Sequence, residues 1–318
     1  MRTFYLFLFI LRINGWKLVP FLKYKYLQGI YFNQGNLYYG TNNGFVHCVT
    51  KNHDESNNYV DLWKRKLGKR NIKKINEGNH DHLIIESDSH NEKYYGHSFI
   101  VDKKNGNCIW KKDWEDSTIY ECITNDDHYC RFNKKGEIFI FSINKKSQNE
   151  MKRKIRIAKI EHIVSIKYYE NEFYIITNKG RLLIVTRNFH IKKIHEFNMP
   201  FVTCMTIFRN HNNDSLYVYL GDVNGNLNIF KITHDKIISS QHYNMDMDSV
   251  MTNIFINFKT IFTCYGNGII LGHDKKTLLP VFNVTNENNF YSDIHHIYTS
   301  TVNIFICEHN YIKLYTIL

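Results

Sequence analysis

The sequence predicts an all-β protein, and three observations carry that prediction. Helical periodicity is hard to find along the 318 residues. Short runs of β-branched and aromatic residues, broken by Asn, Gly, Asp and Lys, take its place. The breaks also share a form: an apolar strand, a residue pair ending in Gly, then a second strand.

Taken in order, the first unit is NLYYGTNNGFVHCV (36–49), with its turn ending at Gly44. The second turn is expected near Gly96, in YYGHSFIVD, because the 92 residues from Gly44 to Gly136 leave room for two units. The third to sixth units are YCRFNKKGEIFIF, FYIITNKGRLLIV, LYVYLGDVNGNLNIF and IFTCYGNGIIL, turning at Gly136, Gly180, Gly225 and Gly268. Their spacings are 44, 45 and 43 residues, and IFICEHNYIKLY puts Asn310 another 42 further on. Asn tolerates the left-handed backbone that Gly otherwise supplies.

Seven units with a period near 44 residues point to one architecture. Four strands of about five or six residues with their connections fill that length. A lone four-stranded sheet has two faces to cover, and packing seven radially buries both. The expected fold is therefore a seven-bladed β-propeller of four-stranded antiparallel blades, occupying 16–318 as one domain. The last unit lacks an outermost strand, and the spare β-type segment Trp16 to Tyr24 is expected to supply it, leaving no open sheet edge there.

Composition sets further bounds. Hydrophobic residues make up 43%, with only 3 Pro, which excludes collagen-like and fully disordered classes. The net charge is +11, but a single alanine, Ala158, and abundant Asn, Lys, Ile, Tyr and Phe trace part of it to A/T-rich codons. Seven scattered Cys form no CxxC or vicinal pair and argue for a reducing compartment, with Cys48, Cys204 and Cys307 as small core hydrophobes. Residues 1–15 form an apolar extension, read as a signal peptide, an edge strand or a wrongly chosen start codon.

Two resemblances sit on the repeat. Asn36 to Leu67, NLYYGTNNGFVHCVTKNHDESNNYVDLWKRKL, resembles the pyrroloquinoline-quinone-type propeller repeat. HSFIVDKKNGNCIWKKD matches its second half, with Asp102, Asn105-Gly106 and Trp110 in place. The later units resemble degenerate WD repeats, which share the four-stranded blade. Enzymes of the quinone-dependent class are implied to be secreted, larger and eight-bladed, with an Asp base and a vicinal Cys pair. This chain counts seven blades and has no adjacent Cys, so the resemblance speaks for fold and not for that chemistry.

Other chemistry is no stronger. Asn79-His80-Asp81-His82 lacks a third ligand at zinc spacing and reads as a polar loop. Adjacent His295 and His296 would point to opposite faces of a strand. Met245-Asp246-Met247-Asp248 lacks the Gly and Glu of a calcium loop. No catalytic residue, cofactor or metal site is assigned.

Two basic runs remain, both placed where a blade's outer strand should lie. One comprises Lys64, Arg65, Lys66, Lys69, Arg70, Lys73 and Lys74; the other Lys152, Arg153, Lys154, Arg156 and Lys159. Exposed outer lysines discourage edge pairing and also suit an anionic partner. The polar insertions His53 to Asp61 and Glu86 to Lys93 are candidate contact loops. The expected role is a non-enzymatic scaffold, a monomeric propeller mediating protein–protein interactions in an intracellular multiprotein complex, in cytoplasm or nucleus. The alternative is a basic subunit associated with RNA or a ribonucleoprotein. A quinoprotein-like propeller of the secretory lumen is the third reading, and no membrane partner is expected.

Overall fold

The computed structural model describes residues 16–22, 27–33, 35–51, 59–89, 94–133, 136–143, 151–154, 161–211, 213–234, 236–245, 248–257, 259–284, 296–299, 303–308 and 311–317. They form seven four-stranded antiparallel sheets. Blades one to six span 27–66, 72–114, 118–154, 163–196, 202–243 and 251–284, each running outward in chain order. Blade seven takes three strands from 296–317, and its outermost strand is Trp16–Leu22, paired antiparallel to Tyr311–Ile317. The segment before the first repeat thus completes the last blade. Among the described residues no helix is long and apolar enough to cross a membrane.

Apolar residues lie between blades because each strand sends alternate side chains to opposite faces. In blade four, Ile175, Leu183 and Val185 join the core shared with blade three, while Ile176, Leu182 and Ile184 join the core shared with blade five. Blade pairs one–two, two–three and five–six have cores of the same kind. All six described Cys side chains are free thiols, with Cys48 and Cys204 in these cores as their apolar setting predicts.

The turns joining second and third strands follow the repeat closely. Gly44, Gly136, Gly180, Gly225 and Gly268 all have φ between +75° and +83°. Each closes the chain reversal by donating its own N–H, as where Gly180 donates to the Thr177 carbonyl at 3.0 Å. Gly96 departs from this pattern. It is the first residue of the strand Gly96–Asp102 and pairs with Asp88, so it closes no tight turn. The connection in blade two is longer than two residues, and Gly96 is confined instead by the Ser87 carbonyl oxygen, 2.7 Å from where a Cβ would stand. The proposed insertion from Glu86 likewise starts too early, since Glu86 to Asp88 belong to the strand His82–Asp88. Asn310 falls between paired Glu308 and Tyr311 but lies outside the described residues.

One repeated feature has no sequence signature. The innermost strands of blades one to six each shift register near their start, leaving Gly29, Lys73, Ile119, Val164, Thr203 and Thr252 out of the pairing. Such bulges bend a strand and re-aim its side chains. Here they occur where the six inner strands converge.

A buried polar network fastens blade two to blade three. Glu121 Oε1 accepts hydrogen bonds from Ser98 Oγ and Tyr129 OH, each at 2.5 Å. Trp114 Nε1 donates to Ser98 Oγ at 2.8 Å. The Arg131 guanidinium is stacked on the Trp114 ring at 4.2 Å, with Nε 3.7 Å from Glu121 Oε1 and Nη2 bonded to the Asp116 carbonyl. Arg131 and Glu121 are both almost fully buried, so each is the other's counter-charge away from solvent.

Candidate interaction rim

The rim is built from outermost strands, which have a neighbour on one side only. In blade one this strand is Tyr59–Lys66, and Lys64, Arg65 and Lys66 are all exposed. The Lys64 and Lys66 ammonium groups lie 4.7 and 5.3 Å from the Phe45 ring centroid, so their stems cover an aromatic face while the charges stay in solvent. Beneath them His47 stacks on Tyr39 at 4.7 Å, and burial followed by the Lys64 charge lowers its pKa. Lys69 and Arg70 are exposed in the connection to blade two.

The first basic run does not stay together. Lys73 and Lys74 sit on Ile72–Glu77, the innermost strand of blade two, and not on an outer strand. The chain has crossed from rim to axis between Arg70 and Ile72, because each outer strand hands over directly to the next inner one. Lys73 is tied to Asp88 at 2.6 Å. In the second run, Lys152, Arg153 and Lys154 lie on Met151–Lys154, the outer strand of blade three, while Arg156 and Lys159 fall outside the described residues.

The rim also holds cations that the runs did not mark. Lys111 and Lys112 lie on Cys108–Trp114, the outer strand of blade two, and Lys192 and Lys193 on Ile191–Glu196, that of blade four. Four consecutive outer strands therefore carry adjacent basic residues. A period-length comparison of the pairs could have found them; a search for long runs could not. Between blades one and two a cleft of about 460 Å3 brings Lys66, Lys69 and Lys111 together with His97 and Asp88. Its carboxylate Asp88 is engaged by Lys73, and Asp113 holds both His97 at 2.6 Å and Lys111 at 3.7 Å, which leaves Lys66 and Lys69 as the cleft's cations without a carboxylate partner among the described residues.

The Asn79 to His82 segment has a structural task. Asn79 Oδ1 accepts hydrogen bonds from the backbone N–H groups of Asp81 and His82 at 3.1 and 3.0 Å, shaping the turn. Among the described residues no group of three or more His, Cys, Asp or Glu is placed to hold a metal. Asp246, Met247 and His295 lie outside the described residues.

No family model and no curated protein sequence matches the chain. Many solved structures are similar to it. One is the β-propeller domain of Cps50 (Swd1) from Myceliophteria thermophila, with a TM-score of 0.73 and 11% identity, covering 95% of this chain and all of that domain. At that identity the likeness is one of fold, and it agrees with the strand order: the chain is a β-propeller.

Proposed function

We propose that the chain is a non-catalytic propeller platform whose rim holds protein partners within a larger assembly. The observation that carries this reading is the pairing of exposed aliphatic side chains with lysines on outer strands. Val60 and Leu62 in blade one, Ile191 and Ile194 in blade four, and Ile237 and Ile238 in blade five are each between 39% and 53% exposed. Aliphatic pairs on a strand with one free edge suit a partner that adds apolar contact and backbone hydrogen bonds together. The flanking cations favour partners with acidic borders.

A second reading has its own support in the three-lysine cleft between blades one and two. Lysines gathered in one cleft suit a phosphate backbone, and the basic outer strands of blades one to four would extend the track. An affinity capture of the tagged chain from its native cell, with and without ribonuclease, separates the two. A fixed set of proteins surviving ribonuclease supports the platform. Loss of all partners with the RNA overturns it in favour of the second reading.

A further inference from the structure

The inner strands of blades one to six surround a cavity of about 750 Å3 at the centre of the ring. Its wall is unusually rich in unused donors. Lys74 from blade two, Ser165 and Lys167 from blade four, Thr206 from blade five and Asn253 from blade six all line it, and all are half-buried. Beyond the backbone pairing of their strands, no side-chain hydrogen bond or ion pair joins any of the five to another described residue. Burial first, and then the Lys74 charge, lower the pKa of Lys167, which places the two amino groups within reach of each other's field. Glu77 is the carboxylate among the described lining residues, and Lys103 holds it at 3.0 Å. Glu86 faces Lys74 across the strand pair, but burial and the Glu121 charge push its carboxyl up to about 7, so it supplies only part of a counter-charge near neutrality.

We propose that this central cavity is an anion site, distinct from the rim, that takes a phosphate-bearing small molecule between Lys74 and Lys167. Two like charges held in a partly buried channel repel each other, and an anion between them removes that cost. The donors converge from four different blades, which suits the several radiating acceptor oxygens of a phosphate better than the planar fork of a carboxylate. Lysine binds phosphate as a point charge, whereas arginine is the usual fork for carboxylates, and the described lining contains no arginine. Ser165 and Thr206 hydroxyls and the Asn253 amide complete the shell.

The site is tested with the full chain and with pyrophosphate and tripolyphosphate as probes, by titration calorimetry at physiological salt. Lys74→Met with Lys167→Met is expected to weaken binding by about tenfold or more, because both charge-assisted contacts are lost. The rim variant Lys64→Ser with Arg65→Ser and Lys66→Ser should bind like the parent chain. Lys167→Gln alone serves if the double variant does not fold, and should weaken binding severalfold. Absence of binding to the parent chain, binding that survives the channel substitutions, or binding lost in the rim variant would each overturn the proposal. Tighter binding of an oligoglutamate than of either phosphate probe would overturn the ligand class.

Discussion

The indole of Trp63, on the outer strand of blade one, lies directly over Gly106 in the turn of blade two. A Cβ on Gly106 would stand 2.5 Å from Cε3 of that ring and 2.7 Å from Arg65 Cγ. Trp63 Nε1 also donates to the Lys103 carbonyl in the same turn at 2.9 Å. One side chain thus latches two blades at the rim by shape and by a hydrogen bond.

Gly106→Ala should therefore destabilise the protein by roughly 2 kcal/mol or more, since φ is +72° there and the added methyl meets an aromatic ring. Trp63→Phe should cost about 1 kcal/mol or more through the lost hydrogen bond and reduced contact. Chemical denaturation of both variants and their combination checks the latch: the two costs should fail to add, because each change relieves the other.

Arg131→Met should be strongly destabilising, by about 3–5 kcal/mol, because it leaves the Glu121 carboxylate buried beside Ser98 and Tyr129 without its cation. Adding Glu121→Gln should recover part of that loss. Equal costs for the single and double variants in urea unfolding would show that the ion pair does not fasten blades two and three.

Phe173→Ala removes a fully buried ring from the core between blades three and four, where it stands 5.1 Å from Phe132 and 4.8 Å from Tyr168. A cost of about 3–5 kcal/mol is expected, read as a lower denaturation midpoint at an unchanged slope. A cost below about 1 kcal/mol would contradict the close packing of these blades.

Two sets of groups set opposing pH dependences. His47 and His273 are lowered below the ordinary imidazole value of 6.5, in each case chiefly by burial. The unfolded chain protonates them first, so their contribution is intact above 6.5 and is lost as pH falls through the lower folded values. Glu86 is raised from 4.5 to about 7, so the folded chain keeps a proton that the unfolded chain releases between those values. Its ionisation costs stability above pH 7, and that cost disappears as pH falls to 4.5. Glu86→Gln should raise the melting temperature at pH 8 by a few degrees, on the order of 1 kcal/mol or more, and leave it unchanged at pH 4.5. The same gain at both pH values would show that ionisation is not the cause.

Replacing Lys64, Arg65 and Lys66 together by Ser should cost only about 1–2 kcal/mol of unfolding free energy, since all three charges are exposed and what is lost is the packing of their stems, two of them on Phe45. Capture of acidic partners should fall and its salt sensitivity should weaken. Unchanged capture at every salt concentration would remove blade one's rim from the interface.

Much of the ring was legible because the backbone of its turns leaves a mark in the side chains. A left-handed residue at a fixed place in each blade is written as Gly44, Gly136, Gly180, Gly225 and Gly268. Blade two hides its turn because a longer connection needs no glycine at that point, which is why Gly96 misled. The inner-strand bulges are invisible for the converse reason: Gly29, Lys73, Ile119, Val164, Thr203 and Thr252 share a backbone geometry but no chemistry. Lys64 to Lys66 stood out as a run, whereas Lys111 gains meaning only beside Lys66 and Lys69 in the cleft. Lys167 is solitary in the sequence and Lys74 ends a basic run placed on the rim, and only the radial arrangement of blades brings the two to one cavity.

The strand Trp16–Leu22 also fixes a birth order. A ribosome makes it before any repeat, yet its partner Tyr311–Ile317 follows every other strand of the ring. Blades one to six can assemble in turn as they are synthesised, each settling on its predecessor, while this first strand waits unpaired until all six have been made. Its late capture is the contact of greatest sequence separation in the ring and bears the largest loop-closure entropy. Nascent chains stalled before Tyr311 should therefore hold folded blades beside a protease-sensitive leading segment.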